Sequence, residues 1–160
     1  MADQANQQQG QGQFQLQRIY IKDLSFEAPR APEVFRQEWK PEVNLEVNHS
    51  ANKVDDTVYE VVLKVTVTVN NQEKSAFVAE IHQAGLFLIA GIEGMQFEHV
   101  IKGVCPNVLF PYARETISDL VARGTFPQFL LQPINFEAAF VEQMRRQQQE
   151  AQQKAEGSQH

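Results

Sequence analysis

Acid–base, metal or nucleophilic chemistry in this chain would have to draw on four histidines, one cysteine and twenty carboxylates. The histidines are His49, His82, His99 and His160, and no two share the close spacing that puts metal ligands on one helix or hairpin. Glu80 and His82 stand two apart, which on a strand places both on one face and could pair a carboxylate with an imidazole. Nothing nearby in sequence supplies a nucleophile or an oxyanion donor, so a solvated strand face is the simpler expectation. Gly91-Ile92-Glu93-Gly94 spells the GXXG of RNA-clamping loops, but an acid between the glycines opposes phosphate. Cys105 precedes Pro106 with no neighbouring cation to lower its pKa, and is expected as a buried thiol. These residues lead to the expectation of no enzyme, no metal and no cofactor.

Composition narrows the partners. The 160 residues amount to one domain, and 42% hydrophobic residues suffice for a core. Fourteen basic against twenty acidic residues give a net charge of −6, with no basic cluster. Neither nucleic acid nor an anionic membrane surface is then an expected partner, because both need concentrated positive charge. No apolar run reaches spanning length and the first residues carry no signal-like pattern, so membrane insertion and secretion are not expected. A single cysteine precludes an internal disulfide and fits a reducing, cytoplasmic location.

The elements that must position any site follow from periodicity. Glutamine-rich residues 1–13 and 152–160 read as disordered tails around one domain over 14–151. Phe14 to Phe26 makes a first strand whose apolar phase slips, as at a bulge. Val43, Leu45 and Val47 alternate with polar residues in a second, and TVYEVVLKVTVTV over 57–69 is the cleanest alternation in the chain. Asn70 to Glu73 turns into a fourth strand over 74–83, giving an antiparallel meander. Residues 84–94 read as a buried connection, and 107–123 as a helix with Pro111 in its first turn and Gly124 beyond its end. Asn135 caps a second helix in which Phe136, Phe140 and Met144 stack. The fold class is α+β: a four-stranded antiparallel sheet with two helices packed on one side.

Two groups of residues rise above this background. Phe35 and Trp39 sit in the proline-rich stretch between the first two strands, and Phe126, Phe129, Leu130, Leu131 and Ile134 in the stretch before the second helix. Aromatic side chains in loops either pin the loop to the core or line a groove, here one suited to an extended apolar ligand such as unfolded peptide. Asp23 and Glu27 share a face of the first strand, and Glu80 lies on the outward face of the fourth, forming an acidic surface.

These residues fall in IYIKDLSFEAPRAPEVF, DDTVYEVVLKVTVTV, GLFLIAGIEG and CPNVLFPYARETISDLVARGTFPQFLLQPINFEAAF, blocks that closely resemble the SecB family of bacterial export chaperones from about Phe14 to Met144. The resemblance implies a homotetramer, a dimer of dimers, that holds unfolded preproteins export-competent without ATP and delivers them to the motor SecA. It implies client grooves at Phe35, Trp39, Leu45, Phe126, Phe129, Leu131, Ile134, Phe136, Phe140 and Met144. It places SecA on Asp23, Glu27, Val78 and Glu80, and subunit assembly on Ala79, Ile81, Gln83, Tyr112, Thr116 and Leu120. Two alternatives stay open: a SecB-like chaperone dedicated to one client, such as a toxin–antitoxin pair, and a small-molecule binding protein or enzyme using the Glu80/His82 face.

Overall fold

The computed structural model describes residues 11–158. Four strands, β1 (Gln13–Glu27), β2 (Pro41–Lys53), β3 (Val58–Asn71) and β4 (Lys74–Ala90), form one antiparallel sheet in the order β1-β4-β3-β2. The last three are a meander, whereas β1 lies beyond β4, so residues 28–40 must carry the chain from one edge of the sheet to the other. A short 3-10 turn at Glu33–Arg36 anchors this crossover by burying Val34.

Alternation divides the sheet into two faces. Val61, Leu63, Val65, Val67 and Val69 of β3 lie buried on the same face as Phe77, Ala79, Ile81 and Phe87 of β4. Over them lies helix α2 (Cys105–Arg123), whose Cys105, Leu109, Ala113, Ile117 and Val121 recur every four residues and are wholly buried. The helix approaches closely because β4 has Gly85 beneath it, where a Cβ would stand 3.0 Å from Leu109 Cδ2. The opposite face carries Glu60, Lys64, Thr66, Glu80 and His82, and no helix among the described residues packs on it. Helix α3 (Phe136–Gly157) packs on residues 100–104 rather than on the sheet, so only α2 of the two expected helices covers it.

Several sequence expectations shift. Residues 84–90 continue β4 instead of forming a connection. This strand is central, paired with both β1 and β3, so it reads as a nearly unbroken apolar run. A helix the periodicity missed, α1 (Gly94–His99), leads through a π turn at Val100–Val104 directly into α2. Pro111 is therefore inside a helix, where its ring deprives the Asn107 carbonyl of a helical partner, and Pro106 takes the first-turn place. Gly124 has ordinary right-handed φ, and Thr125 takes the left-handed one at +62°. Glycine is needed at 124 because a Cβ would meet the Phe26 ring at 2.6 Å.

At the ends, α3 continues through 152–157, which the composition gave to a tail. The first ten residues, most of the expected N-terminal tail, and the last two lie outside the described residues. No helix among the described residues is long and apolar enough to cross a membrane.

Candidate functional site

The loop aromatics converge. Phe126, just past α2, lies 4.8 Å from Phe77, 5.2 Å from Phe35 and 5.7 Å from Trp39, between ring centroids. Trp39 is held in place from β3. The fully buried Asn71 side chain accepts the Lys40 N–H at 2.7 Å and donates to the Glu38 carbonyl at 3.1 Å. Asn71 was not legible as a site residue, since its pattern position was that of a turn.

A pocket of about 310 Å³ opens between the crossover and the segment after α2, lined by Val34, Phe35, Gln37, Trp39, Phe126 and Pro127. A smaller one of about 80 Å³ lies between Trp39, Val43, Phe77 and Phe129. Leu45 follows Val43 on the same face of β2, and both are exposed. Phe35 is 48% exposed, whereas Phe126 is 6%. The two readings of the aromatics therefore divide by residue: Phe126 pins its segment to the sheet and offers an edge to the pocket, and Phe35 stands open beside it.

The remaining candidates on and before α3 do not join this pocket. Phe136 packs against Phe110 at 5.8 Å and Phe140 against His99 at 5.9 Å; both rings and Leu131 are buried. Ile134 and Met144 are half-buried. The start of α3 is tied down as the cap predicts, Asn135 Oδ1 accepting from the Ala138 N–H. In addition, Asn107 Oδ1 accepts from the Phe136 N–H at 2.8 Å, and Glu137 lies 3.1 Å from His99 Nε2.

On the uncovered sheet face, β1 and β4 pair Asp23 with His82, Ser25 with Glu80 and Glu27 with Val78, bringing Asp23, Glu27, Val78 and Glu80 into one patch. Lys64, 3.1 Å from Glu80, hydrogen-bonds its carboxylate and holds it below the usual carboxylate range, with Thr66 adding a second donor. His82 Nε2 lies 3.9 Å from both Asp23 and Glu80, beyond hydrogen-bond reach. These three residues are the only grouping among the described residues with ligand atoms close enough for a metal, all within 4.8 Å. Further along, the Glu60 carboxylate accepts from Lys22 and Tyr20, which lowers its pKa. Burial first, and this carboxylate second, push the Tyr20 phenol up to about 12. Cys105 is sealed in the core, where burial pushes its thiol up to about 12 and leaves no thiolate near neutrality.

The assembly candidates separate. Tyr112, Thr116 and Leu120 form a stripe on the outer side of α2, with Tyr112 exposed. Ala79 and Ile81 are 0% exposed and Gln83 3%, beneath α2 within the same chain. They present no surface to another subunit, so the expectation of direct contact is corrected: their place is to seat the helix that carries the stripe. Sequence reasoning also missed Phe14, Leu16, Ile21 and Leu24, all exposed on edge strand β1. The phase slip signalled a bulge, and the structure has two, but slippage hid which side chains face out.

The fold is that of SecB-like chaperones. The Mycobacterium tuberculosis Rv1957 SecB-like chaperone, solved in complex with a ChAD peptide from the Rv1956 HigA1 antitoxin, superposes with a TM-score of 0.59 over 76% of this chain and 91% of its own. At 20% identity that likeness concerns fold alone. The profile of the family described as preprotein translocase subunit SecB matches residues 6–148. The protein-export protein SecB of Marinobacter nauticus is 52% identical over 146 residues, covering 91% of this chain and 88% of that one. The chain belongs to the SecB family and is a chaperone of protein export.

Proposed function

We propose that the chain holds unfolded preproteins by their apolar segments, in the groove along Phe35, Trp39, Phe126, Phe129 and Leu45, and passes them to SecA on the face bearing Asp23, Glu27, Val78 and Glu80. The observation that carries this reading is the open pocket at the crossover, where a half-exposed Phe35 adjoins rings fixed to the sheet. Each apolar side chain a client buries there contributes roughly 1.5–3 kcal/mol, so no nucleotide is needed to drive capture. A long client reaching several such grooves gains further from effective concentration.

Self-association into a tetramer, as a dimer of dimers, multiplies those grooves. Two surfaces support it: the Tyr112–Thr116–Leu120 stripe and β1, an edge strand paired only with β4 among the described residues, with exposed apolar side chains. Ile134, just before α3, and Phe136, Phe140 and Met144 on it serve the client indirectly, by holding that helix against the segment that leads into α2. The setting is the cytoplasm, and no enzymatic step is part of the role. A chaperone dedicated to one antitoxin-like client is the weaker reading, since the likeness to that class is 20% against 52% for the export protein. Delay of refolding tests the proposal: the chain should slow the folding of several unrelated denatured proteins, and action on a single one would transfer the reading to the dedicated class.

A further inference from the structure

One residue lining the pocket at the crossover carries a buried polar atom that is unpaired among the described residues. Gln37 closes the 3-10 turn, its backbone N–H donating to the Val34 carbonyl at 3.4 Å, and it lines the pocket with Phe35, Trp39 and Phe126. The side-chain oxygen Oε1 is screened from solvent and has no hydrogen-bond partner among the described residues. A dry, unpaired acceptor is costly, and folded chains keep such a group chiefly where a ligand or water completes it.

We infer that Gln37 Oε1 accepts a hydrogen bond from a backbone N–H of the bound client. This rests on the pocket being the client site. An unfolded chain offers such a donor at every residue except proline, so the contact adds affinity without reading side-chain identity. It also sets the orientation of the client: the apolar side chain lies against the Phe35 and Trp39 rings while the adjoining amide turns to Gln37. Reaching the oxygen requires the lining to part, and Phe35, half-exposed, is the ring with the least packing to lose. The client-free pocket is thus open while its wall covers an unmet acceptor, which entry of a peptide satisfies.

The test pairs Gln37→Met, close in shape but without the acceptor, with a short fluorescein-labelled peptide of alternating leucine and serine and its analogue N-methylated at every leucine. Gln37→Met is expected to bind the parent peptide roughly three- to tenfold more weakly, the range of one net hydrogen bond, and the methylated analogue as the wild type does. Because the substitution removes the orphaned group, the peptide-free protein should melt no lower than wild type. Equal loss for both peptides, or no loss for the parent, would overturn the role of Gln37 while leaving the pocket as a client site. Failure of the wild type to bind either peptide would instead overturn the client site itself.

Discussion

The ring of Phe126, in the segment that follows α2, stands 4.8 Å from that of Phe77 on β4, centroid to centroid. The floor of the proposed client groove is thereby part of the core, and only its rim is free to answer a ligand. Substitutions on the two should separate. Phe35→Ala is expected to weaken binding of an unfolded polypeptide with little change in stability, since the ring is already half in water. Phe126→Ala should destabilise the fold by about 3–5 kcal/mol, as for a buried aromatic, and lower binding only as a consequence. Urea midpoints and peptide titrations on the same preparations check this.

The acidic patch predicts a loss confined to one partner. Asp23→Lys, Glu27→Lys and Glu80→Lys should each weaken binding of SecA and leave client binding intact, with the wild-type interaction declining as salt is raised. Parallel titrations with SecA and with an unfolded client measure both. Equal loss of the two would assign the charges to folding.

Tyr20 and Glu60 predict two pH dependences of opposite sense. The Glu60 carboxyl, held below the ordinary 4.5, contributes stability that is complete above that value and is lost as pH falls through the folded one. The Tyr20 phenol ionises at about 12 instead of 10.0, so between those values the unfolded state sheds its proton first and stability falls as pH rises. One of the three tyrosines should therefore titrate late in phenolate absorbance, and Glu60→Gln should bring it partway back. A phenolate titration with no late-ionising tyrosine would contradict this.

Gly124→Ala tests the close approach beside the groove. The added Cβ would meet the Phe26 ring at 2.6 Å and that of Phe126 at 3.1 Å. Because the backbone at 124 is right-handed, no torsional strain is involved, and overpacking alone should cost about 1–3 kcal/mol, read from denaturant unfolding.

What sequence could and could not convey follows from the length scale of each signal. The period of two in 57–69 and the four-residue recurrence of Leu109, Ala113, Ile117 and Val121 are local, and both elements form there. The cap at Asn135 is also local and forms as predicted. The position of β1 beside β4 is not, since strand order depends on which edge a crossover reaches, and residues 28–40 carry no periodic trace of it. Ala79, Ile81 and Gln83 illustrate the same limit: alternation gives a shared face, but only the packing of α2 shows that this face is interior. At the candidate site, the unusual placement of aromatics in loops pointed to Phe35, Trp39 and Phe126. Asn71 and Gln37 escaped notice because their importance lies in hydrogen bonds made or missing across the fold.

Trp39 is the chain's single tryptophan and lines both small pockets of the groove, so its emission reports on the site without a label. Titration with a polypeptide kept unfolded should shift that emission and saturate, while the same polypeptide in its folded form should leave it unchanged. An indifferent spectrum in the presence of a demonstrably bound unfolded client would place the client elsewhere on the protein and contradict the account.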